Sequence, residues 1–228
     1  MLTEPINVLL KDIKVYNIEA LEMGGIYSSE WKGGAIIDCE FRNIRSVFND
    51  PEGDPMALFH IDVNDSLTIQ NCIFSDLQTS PGQTALAITD GLNDNAPLNV
   101  NIIGCLFSNM SNDTYPPIVF GNQSTESFKI TNNTFVNLEG WSAALFLIGN
   151  HQLQNNVFYN PRCIYELSVM TVPISPISNI YMDYNNIRGG SQGIITGPNC
   201  FVEYGTTNIS DNPDLYSLHS DNPFFAQL

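Results

Sequence analysis

The sequence predicts an all-β fold, a single-stranded parallel β-helix wound as a solenoid of seven or eight three-strand coils. Three observations carry that expectation. A short spelling returns eight times, complete in Phe128-Lys129-Ile130-Thr131-Asn132-Asn133-Thr134-Phe135-Val136-Asn137-Leu138. Within each copy apolar residues stand two apart, the period of a strand with one buried face. Asn, Asp or Gly recur at two fixed offsets, the residue types that adopt a left-handed backbone at low cost.

The copies align on an anchor, the last large apolar residue before the final polar corner: Val15, Phe41, Phe74, Phe107, Phe135, Phe158, Ile187 and Ile209. Seven residues earlier stand Val8, Gly34, Leu67, Val100, Phe128, His151, Ile180 and Val202, and five earlier Leu10, Ile36, Ile69, Ile102, Ile130, Leu153, Met182 and Tyr204. These columns define a first strand with one inward face. The next inward column lies two before the anchor, as Ile13, Cys39, Cys72, Cys105, Asn133, Asn156 and Asn185, so one parity step is lost and the chain must bend. The bend falls on Asp12, Asp38, Asn71, Gly104, Asn132, Asn155 and Tyr184.

A second strand carries the anchor and ends at a second polar corner, read at Asn17, Asn43, Asp76, Asn109, Asn137, Asn160, Gly189 and Asp211. The third strand is read at Gly25-Ile26-Tyr27, Ala57-Leu58-Phe59, Ala85-Leu86-Ala87-Ile88, Ile118-Val119-Phe120, Ala144-Leu145-Phe146-Leu147 and Gly193-Ile194-Ile195. Anchor spacing varies from 22 residues (187 to 209) to 33 (41 to 74), so insertions fall in loops and spare the strands. Coils of this kind stack by parallel pairing, each about 4.8 Å above the last, around one continuous core. Residues 1–228 are expected to form one domain.

This spelling resembles the parallel β-helix repeats of the pectin-lyase-like superfamily, in which Asn stacks at a corner and apolar ladders run inside. The resemblance covers nearly the whole chain and implies a right-handed helix, in line with the rule for parallel crossovers. Gly33-Gly34-Ala35-Ile36 followed by Phe41-Arg42-Asn43 also resembles the repeats of polymorphic outer-membrane proteins, with the Asn one residue closer and the glycine pair in one strand only.

The net charge of -16 excludes the basic footprint that nucleic acid or an anionic membrane surface requires. The longest purely apolar stretch, Ala143 to Ile148, is too short for a membrane span. The opening Met1-Leu2-Thr3-Glu4-Pro5 has no basic stretch of a signal peptide and runs directly into a repeat. A solenoid end needs a polar cap, and the expectation is a section of a longer chain.

Cys39, Cys72 and Cys105 share one inward column, close enough for a disulfide between two of them or simply a ladder of buried thiols. Cys163 and Cys200 fall in neighbouring coils and form a further candidate pair. No Cys-x-x-Cys pattern suggests zinc. Six Asn-x-Ser/Thr sequons occur; Asn109 and Asn132 are corner residues, which leaves Asn64, Asn112, Asn122 and Asn208 as the glycosylation candidates. Calcium is the one cofactor for which there are candidates, with Asp50, Glu52 and Asp54 in one loop and Asp90 and Asp94 in another, although acids also suit solvated turns.

The pectin-lyase-like resemblance raises catalysis on acidic polysaccharides. Lyases of that family use an arginine base beside clustered acids, but Arg42 and Arg188 sit five coils apart, both read as outward. The hydrolase segments Asn-Thr-Asp, Asp-Asp, Gly-His-Gly and Arg-Ile-Lys do not occur. His60, His151 and His219 have no nucleophile or carboxylate at motif spacing, and His151 reads as a core residue. Outside, Ile37, Ile73, Ile103, Leu106 and Val157 occupy columns where polar residues are expected, an apolar strip suited to an interface.

The sequence therefore points to a non-catalytic extracellular or cell-surface β-helix, a structural, assembly or adhesion element. Its expected partners are neighbouring coils or chains of one assembly, with carbohydrate as a further candidate. The alternatives are a polysaccharide lyase or hydrolase working from the long loops, and a virus tail-spike or receptor-binding fibre, which requires a trimer.

Overall fold

The computed structural model describes residues 6–20, 27–46, 57–79, 84–90, 99–112, 115–121, 128–171 and 177–213. Within them the chain is all β and parallel, wound into a solenoid with three faces. The first face holds Ile6–Lys11, the second half of Tyr27–Ile37, Ser66–Gln70, Asn99–Ile103, Phe128–Thr131, His151–Gln154, Ser178–Asp183 and Cys200–Tyr204. Lys14–Ala20, Glu40–Ser46, Ile73–Gln78, Leu106–Ser108, Thr134–Val136, Val157–Tyr159 and Asn186–Ile187 make the second, a 7-stranded sheet. The third consists of the first half of Tyr27–Ile37 with Ala57–Val63, Thr84–Asp90, Ile118–Gly121, Ala143–Ile148, Tyr165–Met170 and Ile194–Thr196. Because Tyr27–Ile37 runs straight across a corner, the first and third faces join as one 14-stranded sheet.

Pairing follows the predicted columns except at the eighth anchor, where Ile209 bridges Asn186 instead of Ile187 and is exposed. Val8 lies opposite Gly34, Leu67 opposite Val100, and Phe128 opposite His151, which in turn faces Ile180. Gly34 breaks its column for a steric reason: a Cβ there would lie 1.9 Å from the Val8 carbonyl oxygen, at a φ of 149° that side chains rarely adopt. On the second face Phe41, Phe74, Phe107, Phe135 and Phe158 stack in register, with centroids 5.1, 5.4, 4.8 and 4.8 Å apart and rings nearly parallel. Phe59 closes the stack edge-on from the third face, 5.1 Å from Phe41 and 5.7 Å from Phe74.

The first corner behaves as its residue types require. Asp12, Asp38, Asn71, Gly104, Asn132, Asn155 and Tyr184 all have φ between 53° and 65°. After all of these but Asp12, where the apolar Ile13 follows, the side chain two before the anchor turns into the core and meets the backbone that the bend has unpaired. Asn156 Oδ1 accepts from the Asn133 amide at 2.9 Å while its Nδ2 donates to the Ile130 carbonyl at 2.8 Å. Asn185 does the same for the Asn156 amide at 3.0 Å, and Asn208 for the Asn185 amide at 2.8 Å. Upstream, cysteine takes over: Cys105 Sγ accepts from the Cys72 amide at 3.4 Å and Cys72 Sγ donates to the Ile36 carbonyl at 3.3 Å. A buried amide left without such a partner costs about 1–3 kcal/mol, so from Cys39 onward the inward column holds side chains that can hydrogen-bond.

The second corner matches at Asn17, Asn43, Asp76, Asn109, Asn137 and Gly189, whose φ values are 51–80°. Outside it the carboxamides form their own ladder, with Asn43 Nδ2 donating to Asn17 at 2.6 Å and Asn109 Nδ2 to Asp76 at 3.1 Å. Asn160 and Asp211 depart from the expectation, since neither is left-handed. Asn160 instead turns inward, fully buried, where its Oδ1 accepts from the Leu138 amide at 2.7 Å and its Nδ2 donates to Glu166 at 2.6 Å.

Of the predicted third strands, those from Ala57, Ala85, Ile118 and Ala144 are present, Ile194 begins another, and Gly25 and Ile26 lie outside the described residues. Tyr165–Met170 is an unforeseen third strand, with Leu167 and Val169 inward against Leu145 and Leu147. The aromatic stack sets a testable cost: replacing the fully buried Phe107 by Ala should lower stability by about 3–5 kcal/mol in chemical denaturation. A loss below about 1 kcal/mol would show that the stack is not part of the core.

Candidate functional site on the third face

The strongest site is on the outside of the third face, and it follows from strand parity. Inward there are Leu86, Ile118, Leu145, Leu167 and Ile194, paired strand to strand. The outward column between them reads His60, Ala87, Val119, Phe146, Ser168 and Ile195, and the next outward column Asp62, Thr89, Gly121, Ile148 and Met170. A face open to water alternates apolar-in with polar-out. This one does so only at its beginning, where His60 Nε2 meets Asp62 Oδ1 at 3.0 Å and the Thr89 hydroxyl donates to the same oxygen.

From Ile118–Gly121 to Ile194–Thr196 the outward residues are apolar, and they floor a concavity of about 670 Å³. Val119, Phe146, Ile148, Met170 and Ile195 form the floor with Ser168 among them, and Tyr115, Pro116, Trp141 and Ser142 stand around it. Trp141 is 76 % exposed, a large apolar side chain held at a corner by neither core nor sheet. Among the described residues no Asp, Glu, Lys, Arg or His lines the concavity.

The His60, Asp62 and Thr89 cluster lacks the order of a hydrolytic triad. Asp62 sits in the middle and accepts from both neighbours, whereas nucleophile activation needs the base between hydroxyl and carboxylate. The sequence reading left His60 without a partner carboxylate at motif spacing; Asp62, two residues on, supplies one across the same outward face.

Arg188 was expected to point outward. It folds back instead, with Nε 2.5 Å from the fully buried Glu166 carboxylate and a terminal nitrogen 2.7 Å from the Cys163 carbonyl. Together with Asn160 this forms a network around the fully buried Glu166, with the Arg188 side chain partly exposed. Arg42 instead lies against Glu40, 3.4 Å away, where Lys14 also meets the carboxylate at 3.2 Å. The Tyr16 hydroxyl bonded to Glu40 holds that carboxyl below its usual range.

All five cysteines are free thiols. Burial raises those of Cys39, Cys105 and Cys163, the last to about 11, so they are protonated at neutral pH and poor nucleophiles. Cys163 donates to the Leu138 carbonyl while Cys200 lies on the first face opposite Ser178, so the structure does not bring that candidate pair together.

Asn112 and Asn208, two of the sequons, have carboxamides committed inside. Asn112 Nδ2 donates to Thr79 at 2.9 Å and Asn208 Nδ2 to the Met182 carbonyl at 2.9 Å, and a glycan would replace one of the two hydrogens on either nitrogen and crowd these contacts. Asn64 is half-buried beside Asp65, Asn132 is exposed, and Asn122 lies outside the described residues.

Asp50, Glu52, Asp54 and Asp94 of the calcium candidates also lie outside the described residues; Asp90 ends a strand, opposite Val63. Among the described residues no group of three or more His, Cys, Asp or Glu is arranged to hold a metal ion. No helix there is long and apolar enough to cross a membrane.

Of the apolar strip, Ile37, Ile73, Ile103 and Leu106 are half-buried and Val157 is buried. In register with them come Gln70, Thr131 and Thr134, which interrupt the strip. The third-face groove is not evident in the sequence because Ile118-Val119-Phe120 and Ala144-Leu145-Phe146-Leu147 read as core strands. Their lack of alternation was the signal, since a one-faced strand apolar at both parities must present apolar residues outside as well.

Compared with protein-family models, with curated proteins and with solved structures, the chain matches none of them.

His151 offers a pH-dependent test of this interior. It is buried against Phe128, ring centroids 5.3 Å apart, with Nε2 2.9 Å from the Ile148 carbonyl. Burial lowers its pKa from 6.5 to about 4. The unfolded chain therefore binds a proton that the folded chain refuses, so His151's share of stability is intact above pH 6.5 and falls as pH drops toward 4. Unfolding titrations should show a loss of about 3 kcal/mol across that window, and His151→Leu should flatten this component. An unchanged slope in the variant would mean that His151 is not buried neutral.

Proposed function

We propose that the chain is a right-handed parallel β-helix of the pectin-lyase-like kind and a non-catalytic structural, assembly or adhesion element, working at the cell surface or outside the cell. The observation that carries this reading is the apolar outer surface of the third face. There a solvated strand column gives way to Val119, Phe146, Ile148, Met170 and Ile195, side chains that contribute nothing to the internal core and expose hydrocarbon to water. A rigid array of parallel strands holds these groups at fixed spacing, which suits recognition of an extended surface or ligand. Handedness rests on the repeat resemblance and the crossover rule, and the extracellular placement on the sequons.

The side chains that polysaccharide cleavage would call on support the same reading. Arg188 is bound to buried Glu166, Arg42 to Glu40, and Asp62 lies between His60 and Thr89, so each is engaged within the fold. Incubation with acidic polysaccharides such as pectate or alginate should release neither unsaturated nor reducing sugar above a heat-denatured control. Release that follows protein concentration would overturn the non-catalytic reading and place catalysis in the loops.

A further inference from the structure

We infer that the third-face groove binds a small uncharged molecule through its hydrocarbon part. This rests on the reading of the third face as the working surface and names what that surface recognises. Three features decide the chemistry. First, the groove is a concavity, and about 670 Å³ falls within the roughly 300–1,000 Å³ typical of small-molecule sites rather than on a flat packing surface. Crossing four strands at about 4.8 Å each, it runs some 14 Å between the outermost strand axes, long enough for an extended chain.

Second, its polar groups are few. Among the described residues the hydroxyls of Ser142, Ser168 and Tyr115 and the indole N–H of Trp141 are the polar side-chain groups at its lining, so a ligand there can be oriented by a few hydrogen bonds but not by an ion pair. Saccharides, whose hydroxyls each need a partner, fit this lining poorly.

Third, charge decides between neutral and anionic ligands. The chain carries a net charge of -16 and the described lining of the groove holds no Lys or Arg, so a carboxylate or sulfate headgroup would enter against the field of the whole protein without compensation. A neutral group loses nothing to that field. It also buries Phe146, Ile148 and Met170, at about 25 cal/mol per Å² of apolar surface removed from water.

Trp141 is a built-in reporter. The other tryptophan, Trp31, is 2 % exposed while Trp141 is 76 % exposed at the groove, so a bound hydrocarbon should shift the emission of Trp141 to the blue. The test titrates the whole chain with Nile red, a neutral probe, and in parallel with laurate. The expected result is saturable Nile red binding with a blue shift of tryptophan emission, displacement by neutral long-chain alcohols, and binding of laurate weaker by about tenfold or more. Phe146→Asp, which puts a charge in the groove floor, should weaken Nile red binding by about tenfold or more, and so should Trp141→Ser, whose exposed position makes it safe for folding. Phe201→Asp, at an exposed apolar residue elsewhere, should leave binding unchanged.

Non-saturable binding, insensitivity to both groove variants, or equal binding of laurate would overturn the inference. Sedimentation separates the two levels of the proposal. If the chain self-associates and Phe146→Asp abolishes that, the groove is covered by a second copy, so the ligand is wrong while the working surface stands. If neither probe binding nor association responds to the groove variants, the working-surface reading fails with it.

Discussion

Everything in this structure depends on how the first corner is turned. The first strand sends alternate side chains into the core, and the second strand must do the same, but the count between them is odd. A left-handed residue takes up the difference. The bend unpairs backbone amides at a depth that water does not reach, and the next inward side chain must satisfy them. That is why Asn133, Asn156 and Asn185 are buried in a column whose neighbours are Phe, Ile and Leu. Cysteine performs the same office in earlier coils, since sulfur accepts an amide weakly and the thiol donates to a carbonyl.

With register fixed at that corner, the rest of the coil follows. The anchors stack because they have no lateral freedom, which brings five phenylalanine rings into one column. Loops of any length can be inserted beyond the strands without moving the ladder. The outward faces are then free to vary. The second face carries charged and polar groups such as Lys14, Glu40 and Arg42, while the later part of the third face carries a hydrocarbon floor. Function is proposed where the sequence uses that freedom against the usual preference for polar groups outside.

The repeat made the inward columns and both corners legible, because they obey strict offsets and use residue types with a backbone reason to be there. Exceptions arose wherever a local interaction overrode the offset. Asn160 stands at a corner position but is drawn inward by Glu166, and the same buried glutamate hid the strand Tyr165–Met170, which reads as too polar for a core element. Arg188 was assigned by parity to the outside, yet an unpaired Glu166 would be far costlier than a bent arginine. The groove was hidden for the opposite reason, since its residues look like core in one dimension. Only pairing Val119, Phe146, Ser168 and Ile195 across successive strands reveals that they share an outer surface.

The most direct test of the corner as the governing constraint compares two substitutions at one position by chemical denaturation. Asn156→Leu keeps the branched skeleton of four side-chain heavy atoms but leaves the Asn133 amide and the Ile130 carbonyl without partners, and should lose about 2–5 kcal/mol. Asn156→Cys reproduces the arrangement found at Cys72 and Cys105 and should lose clearly less, despite being the smaller side chain. A leucine variant as stable as the cysteine variant, or more so, would contradict the account, for it would mean that packing rather than satisfaction of the bent backbone sets the register.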